Sequence, residues 1–257
     1  MTRGDIGVGV QPGQVAVLEI RRPPNNFFDT DLIRDLAEAL EGLADDRECR
    51  AVVLCSEGKH FCAGANFGSG ERPSGTPREG EHLYDVAIRL FEQPLPIIAA
   101  IQGAAIGGGL GLALAADFRV ACSEARFSAN FARLGFHQGF GLSVTLPMVV
   151  GHQRSLELLY TGRRIDGDEA LRIGLCDRLV PLVEVRSAAV ALAEDIAASA
   201  PLAVRSIRKT IRGHLAESVR AALVREKAEQ DRLVQTADWR EGVRATAERR
   251  APAFQGR

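Results

Sequence analysis

The sequence predicts an α/β fold in its first half and a helical region in its last third. Apolar runs at residues 15–20 and 51–55 flank a helix whose leucines, at positions 32, 36, 40 and 43, follow the 3.6-residue period of one helix face. A strand, a helix and a strand at this spacing are typical of a βαβ unit and hence of a parallel sheet. From residue 142 onward the apolar residues recur almost entirely at helical spacing. We therefore predict an α/β core over residues 1–198 and a helical assembly region over residues 199–257.

Three further elements of the first half follow from apolar runs and their boundaries. Strands are predicted at residues 97–101 and 118–122, and a helix is predicted at residues 81–93. Asp29 or Thr30 can cap the first helix through a side-chain oxygen. Each apolar run is short enough for a buried strand of the same sheet.

Two segments show no regular hydrophobic period. The last third of the chain, in contrast, shows an almost continuous helical period. Residues 68–80 are rich in Gly, Pro and Ser and form either a surface loop or a lid over a site, of which we favour the loop. Residues 127–141 are predicted to be irregular. The predicted C-terminal helices are 142–150, 154–160, 168–173, 183–200 and 202–249, the last with interruptions.

The composition sets the outer limits on function. The chain has 257 residues, of which 46% are hydrophobic and 25% charged, and its net charge is −1. This balance is typical of a globular protein and indicates neither a nucleic-acid partner nor a membrane surface. Its five cysteines form no C-x-x-C pair, and no apolar leader follows the N-terminus. We therefore expect reduced thiols, no metal site and a cytoplasmic location.

The glycine-rich stretch at residues 96–117, PIIAAIQGAAIGGGLGLALAAD, is the most informative part of the chain. An apolar strand turns through five glycines into a helix of small residues. Such a turn exposes backbone N–H groups at the positive end of a helix dipole, which favours an anion. The spacing fits neither the dinucleotide fingerprint nor the P-loop, and the nearby Ser143 lacks the last glycine of a nucleophile elbow.

The same stretch has a membrane-span alternative. Nothing from residue 94 to residue 116 is charged, and the glycines make G-x-x-x-G pairs. Gln102, the glycine cluster and two leading prolines would break such a span. We therefore expect no membrane-spanning helix.

A second glycine turn, HFCAGAN at residues 60–66, follows the strand at residues 51–55. The two strands are one βαβ step apart, so both turns fall at the carboxyl edge of the sheet, where α/β proteins bind ligands. Two converging backbone N–H groups would form an oxyanion hole. From the spacing alone, an oxyanion hole and two purely structural turns are equally compatible with the sequence.

Several blocks of the chain resemble the crotonase, or enoyl-CoA hydratase/isomerase, family over nearly the whole length. The blocks are residues 22–26, 60–66, 102–117, 125–127, 134–135, 146–147, 161–162 and 174–175, with Gly151, Ala170 and Phe254. The resemblance implies a crotonase-like spiral of ββα units, a helical C-terminal trimerisation region and a coenzyme A thioester as ligand. It also implies a homotrimer or a dimer of trimers, and a role of lyase or isomerase type in fatty acid metabolism.

The resemblance also assigns site residues. The backbone N–H groups of Ala63 and Gly108 would form the oxyanion hole, and Ala65, Asn66 and Phe67 would lie near the adenine and pantetheine. Arg249, from a neighbouring subunit, would meet coenzyme A phosphates, although an ordinary charged helix explains it equally well. No resident cofactor is implied, since coenzyme A is part of the substrate.

The chain departs from the family at the two catalytic glutamates that hydratases of this type use. Gly111 stands where the first should lie and Phe131 where the second should lie, and neither can transfer a proton. Residues 136–140 also lack the Asp or Glu of isomerase-type members. His137 in that segment is the best remaining proton-transfer candidate, because imidazole titrates near neutrality.

Three functions stay open at this point. The first is an acyl-CoA enzyme that stabilises an oxyanion with non-standard acid and base groups. The second is a non-catalytic acyl-CoA-binding protein. The third is a purely structural or assembly protein, which two intact glycine turns disfavour. The acyl group and the reaction do not follow from the sequence.

Overall fold

The structure, a computed structural model, describes residues 2–66 and 82–257. Phe67 and the loop or lid predicted at residues 68–80 therefore lie outside the described residues. The strands are β1 (Thr2–Arg3), β2 (Ile6–Gln11), β3 (Val15–Ile20), β4 (Ala51–Ser56), β5 (Ile97–Ile101), β6 (Ala104–Ile106), β7 (Phe118–Ala121), β8 (Arg126–Ser128), β9 (Ile165–Asp166) and β10 (Arg178–Leu179). The α-helices are α1 (Thr30–Asp45), α2 (Leu83–Phe91), α3 (Gly108–Ala115), α4 (Leu142–Val150), α5 (His152–Thr161), α6 (Gly167–Arg172), α7 (Val185–Ala197), α8 (Pro201–Leu233) and α9 (Ala237–Ala247). Short 3₁₀-helices span Asn130–Leu134 and Leu182–Glu184.

The larger sheet has the strand order β1-β2-β3-β4-β5-β7-β10. Strands β3, β4, β5, β7 and β10 run parallel, with Leu18 opposite Leu54 and Leu54 opposite Ala99. The parallel sheet predicted from the βαβ pattern is therefore confirmed. The antiparallel strand β2 was not predicted, because half of it is exposed and two of its six residues are glycines, which are depleted in strands.

Helix α1 forms where its cap and its leucine spacing predict a helix. Asp29 caps it, since its carboxylate accepts the N–H of Leu32 at 2.9 Å. The four leucines at helical spacing are all buried, and the helix packs against α2. The predicted helix and its predicted cap are both confirmed.

A smaller sheet, β6-β8-β9, stands beyond the carboxyl ends of β5 and β7. Each of its strands has only two or three residues, which is too short for a periodic signal in the sequence. Together β5, β6 and α3 make one ββα turn, and β7 and β8 lead into the next. The spiral of ββα units is therefore confirmed, and the segment predicted to be irregular begins with β8 and a 3₁₀-helix.

The C-terminal region is more continuous than predicted. Helix α8 runs unbroken for 33 residues from Pro201, and it packs on α2 and α4. Asp117, at the end of α3, connects this helix to the large sheet. Its carboxylate accepts Arg208 Nε at 3.0 Å, Arg212 Nη1 at 2.6 Å and the N–H of Ile97 at 2.8 Å. The predicted boundary at residues 198–199 falls in the connection between α7 and α8, and the division into two regions stays a prediction.

Within the described ranges, no single helix is long and apolar enough to cross a membrane. One pair, Leu182–Ala197 with Pro201–Leu233, passes by length and composition only when taken together, and it is bent by 104°. The glycine-rich stretch itself forms β5, β6 and α3.

Replacing Asp117 should destabilise the protein strongly. In Asp117→Asn, two arginines that are 10% and 14% exposed lose their carboxylate, and a buried cation without a counterion is costly. We expect a loss of about 3 kcal/mol in the free energy of unfolding, measured by urea denaturation. Asp195→Asn, at an exposed position of α7, is the matched control and should change stability by less than about 0.5 kcal/mol. Equal losses in both variants would contradict this role of Asp117.

Candidate active site

An apolar cavity of about 270 Å³ lies where the turn after β4 meets the start of α3. Residues of α2, α8 and α9 close its other sides. Five phenylalanines line it: Phe27, Phe28, Phe131, Phe136 and Phe140. The aromatic lining makes this a site for an apolar group, with orientation left to the few polar atoms in the wall.

Main-chain hydrogen bonds hold the turn after β4 against β6. The N–H of Cys62 donates to Ala104 O at 2.9 Å, and the N–H of Ile106 donates to Cys62 O at 3.1 Å. Gly64 follows with φ +97°, a conformation that favours glycine, and a Cβ there would lie 2.8 Å from Ile106 O. The two glycine turns thus meet as adjacent backbone, as predicted from their positions after β4 and β5.

The start of α3 contributes one N–H group without an acceptor among the described residues to the cavity wall. Gly107 precedes the helix and donates its own N–H to Ser128 O at 2.8 Å. Gly109 packs so closely that a Cβ would overlap the Cys62 carbonyl oxygen. Gly108, the first helical residue, lines the cavity, and its N–H has no acceptor among the described residues. Such an N–H at the positive end of a helix is suited to an oxyanion.

The second donor requires a correction by two residues. Ala63 and Ala65 both line the cavity, but the N–H of Ala63 already donates to Asn25 O at 2.9 Å. The N–H of Ala65 has no acceptor within the described part of the chain. The sequence prediction named Ala63, since the turn alone does not reveal which of its amides is used by the preceding segment. The structure leaves Ala65 and Gly108 as the pair of available donors.

Comparison with known proteins settles the family. The sequence profile described as Enoyl-CoA hydratase/isomerase matches residues 11–257. The chain belongs to this family. The "Probable enoyl-CoA hydratase echA12" of Mycobacterium bovis is 38% identical over 255 residues, covering 94% of this chain and 89% of that protein.

Solved structures of the family share the fold. An enoyl-CoA hydratase/isomerase from Pseudoalteromonas atlantica T6c superposes with a TM-score of 0.88 at 32% identity, covering 98% of this chain and 100% of the other. A carnitinyl-CoA hydratase from Mycobacterium avium gives a TM-score of 0.87 at 32% identity and covers both chains fully.

The two positions that the resemblance aligned with family glutamates face an aromatic wall. A Cβ at Gly111 would lie 2.6 Å from the Cβ of Phe140, so a side chain there requires Phe140 to move. Phe131 lines the cavity itself. Aromatic carbon therefore fills the space in which carboxylates would stand.

His137 is not brought to the cavity. Its Nδ1 lies 2.7 Å from the carbonyl oxygen of Gln138, its sequence neighbour, and it is absent from the cavity wall. The role of His137 as acid or base therefore stays a prediction. The backbone carbonyl of His137 accepts Gln230 Nε2 at 3.0 Å.

The role of the candidate coenzyme A residues stays a prediction, and the structure describes the positions of three of the four. Asn66 and Ala65 line the cavity, whereas Phe67 lies outside the described residues. Arg249 is exposed, and it lies two positions after Ala247, which lines the cavity.

Buried ionisable groups near the site are already engaged. Glu226 on α8 is fully buried, and its two oxygens accept the N–H groups of Gly141 and Ser143 at 2.9 Å each, which secures the start of α4. Burial raises the pKa of the Cys62 thiol to about 12, so this thiol stays protonated and is no nucleophile. Among the described residues that line the cavity, none is Asp, Glu, His, Cys, Lys or Arg.

Sequence reasoning missed four polar residues of the wall, Tyr84, Asn130, Gln230 and Thr246, of which Tyr84 and Gln230 form a pair. The Tyr84 hydroxyl donates to Gln230 Oε1 at 2.8 Å, across 146 positions of sequence. Tyr84 lies in the helix predicted at residues 81–93, for which no site residue was predicted, and Gln230 lies in a long helix rich in polar residues. No local pattern therefore indicated that the two would meet.

The turn beside the site should lose stability in acid. Nδ1 of His60 accepts the N–H of Ala104 at 3.3 Å, and burial, with a smaller effect of Lys59, lowers the pKa of His60. A lowered pKa means that the unfolded chain binds more protons, so this contribution is present above the usual value near 6.5 and is lost as pH falls below it. Between pH 7.5 and 5.5 the urea midpoint of the parent should therefore fall more than that of His60→Asn, whose amide oxygen can accept the same N–H. His214→Asn, at a 96% exposed histidine, should behave as the parent, and an unchanged slope in His60→Asn would contradict the assignment.

Proposed function

We propose that this protein is an enzyme of the enoyl-CoA hydratase/isomerase family that binds an acyl-CoA thioester through a backbone oxyanion hole. The thioester oxygen would accept the N–H groups of Ala65 and Gly108, and the acyl group would occupy the phenylalanine-lined cavity. The observation that carries the proposal is a pair of residues in the wall of one apolar cavity, Ala65 and Gly108, whose N–H groups have no acceptor among the described residues. Hydrogen-bond donors fixed in a site with little water stabilise the negative charge of an enolate or a tetrahedral oxyanion. In known oxyanion holes this stabilisation is on the order of several kcal/mol.

The chemistry proposed here is oxyanion stabilisation without the family's two glutamates. Backbone donors lower the energy of negative charge that develops on the thioester oxygen, and they need no proton transfer of their own. The absence of an acid or base among the described lining residues favours a second candidate, a non-catalytic acyl-CoA-binding protein. The enzyme would convert a bound thioester to a product, whereas the binding protein would release it unchanged.

We propose further that coenzyme A lies along Ala65 and Asn66, with Phe67 and a neighbouring subunit's copy of Arg249 beside it. The assembly proposed is a homotrimer or a dimer of trimers built on the C-terminal helices, which light scattering can test. The proposal needs no resident cofactor, because coenzyme A enters with the substrate.

The role of the Gly108 amide can be isolated with two variants. Gly108→Ala adds a Cβ that would overlap the Phe28 ring but keeps the N–H, whereas Gly108→Pro adds a similar Cβ and removes the N–H. Proline is tolerated at the first helical position, so α3 can still form. We expect Gly108→Pro to bind acetyl-CoA about fivefold more weakly than Gly108→Ala in calorimetry, the effect of losing one hydrogen bond to the neutral thioester carbonyl. Equal affinities in the two variants would remove Gly108 from the site.

Hydration of crotonyl-CoA should be very slow or absent. Loss of a general acid or base typically costs about 10²–10⁴-fold in rate, and both positions are apolar here. The loss of absorbance of the conjugated thioester measures the reaction directly. Rapid hydration of crotonyl-CoA by the parent protein would contradict the prediction that the replaced glutamates make this reaction slow.

The complementary experiment restores the carboxylates. Because Phe140 occupies the space beside Gly111, the variant combines Gly111→Glu and Phe131→Glu with Phe140→Ala. Phe140→Ala alone is the control for the enlarged cavity. A gain of hydration in the triple variant over this control would show that the missing acid and base are what limits the reaction.

A further inference from the structure

The carboxamide of Asn130 in the cavity wall has no hydrogen-bond partner among the described residues. Asn130 lines the cavity and is half-buried, and no described group donates to its side-chain oxygen or accepts from its side-chain nitrogen. Two other polar residues of the wall, Tyr84 and Gln230, are hydrogen-bonded to each other. The carboxamide of Asn130 is therefore available to a ligand that enters the cavity.

The position of Asn130 in the chain makes this lack of a partner informative. Asn130 is the first residue of the 3₁₀-helix Asn130–Leu134. An Asn side chain at the start of a helix commonly hydrogen-bonds to the nearby backbone. The Asn130 side chain makes no such bond, although an amide in a largely apolar wall is costly when it is left without a partner. Its hydrogen-bonding capacity is thus left for the group that occupies the cavity.

The Asn130 carboxamide lies next to a proposed oxyanion donor. A Cβ at Gly107 would lie 3.2 Å from Asn130 Oδ1, and Gly107 directly precedes Gly108. Standard bond lengths separate the Cβ of one residue from the backbone nitrogen of the next by less than about 4 Å. The carboxamide oxygen of Asn130 therefore lies no more than about 7 Å from the nitrogen of Gly108.

Phe131 relates the same carboxamide to a replaced glutamate. A Cβ at Gly107 would lie 3.8 Å from Cζ of Phe131, so the edge of this ring and the carboxamide of Asn130 border the same point of the wall. Phe131 stands where the resemblance aligns the second family glutamate. An amide donates and accepts hydrogen bonds but does not titrate. This part of the wall can thus bind a polar group without transferring a proton to it.

We propose that Asn130 is a specificity-determining residue whose carboxamide hydrogen-bonds a hydroxyl group on the second or third carbon of the acyl chain. Standard bond lengths place an oxygen on either carbon within about 5 Å of the thioester oxygen. With the thioester oxygen at the N–H of Gly108, such a hydroxyl can meet the carboxamide. The substrate class is an acyl-CoA hydroxylated at one of these carbons. This inference rests on the proposed acyl-CoA function and adds the chemistry of the acyl group.

The test is calorimetry with five thioesters: butyryl-CoA and both enantiomers of 2-hydroxybutyryl-CoA and of 3-hydroxybutyryl-CoA. The parent should bind at least one hydroxylated thioester about fivefold more tightly than butyryl-CoA, the effect of one neutral hydrogen bond. Asn130→Leu replaces the amide with an apolar side chain of similar shape and should abolish this preference. Since the variant breaks no hydrogen bond within the described protein, it should bind butyryl-CoA within about twofold of the parent.

Two further variants make the result decisive. Gln235→Leu removes an exposed carboxamide outside the cavity wall and should keep the preference. Asn130→Ala, which truncates the amide, should lose the preference and serves as the test if Asn130→Leu does not fold.

The outcomes separate this inference from the proposed function. If the parent binds none of the five thioesters, the proposed function is overturned and this inference with it. If the parent binds butyryl-CoA as tightly as every hydroxylated thioester, or more tightly, this inference alone is overturned. A preference that persists in a folded Asn130 variant, or one that Gln235→Leu also abolishes, would likewise overturn the assignment to Asn130.

Discussion

The close contact between the Cys62 carbonyl and the start of α3 determines the geometry of the site. A Cβ at Gly109 would overlap that carbonyl oxygen, so the approach is possible only for glycine. This contact, with the hydrogen bonds between Cys62 and β6, brings the turn after β4 next to the first turn of α3. The N–H groups of Ala65 and Gly108 face one cavity because two backbones, and not two side chains, are packed together.

The other end of α3 is held by the C-terminal region. Arg212 on α8 donates to Ala115 O at 3.1 Å, and Asp117 binds both Arg212 and Arg208. Cations at a helix C-terminus complement its dipole and satisfy its last carbonyls. Helix α3 is thus fixed at its N-terminus by the sheet-edge turn and at its C-terminus by α8. The long helix α8 therefore helps to hold α3, whose first residue, Gly108, is a proposed oxyanion donor.

Elements with a sustained period could be predicted from the sequence, and features that depend on tertiary contacts could not. The four leucines of α1 and the apolar runs of the parallel strands carry their own signal, and the structure confirms them. The strands β6, β8 and β9 are too short to show a period, and they form because neighbouring backbone is available to pair. The donor at Ala65, in place of Ala63, follows from the carbonyl of Asn25, which the turn sequence does not contain. Tyr84 and Gln230 meet only because α2 and α8 pack together.

The proposed site places its electrostatics in the backbone. Backbone amides do not titrate, so the proposed oxyanion stabilisation by Ala65 and Gly108 would have no pH dependence of its own. His60 accepts the N–H of Ala104, so its protonation is expected to act on the fold. The described cavity wall contains no group that titrates near neutrality, and His60 is not part of it. If turnover proves to depend on pH while folding does not, the responsible proton must come from the substrate or from a group beyond this wall. The pH profile therefore separates the chemistry of the bound thioester from that of the cavity around it.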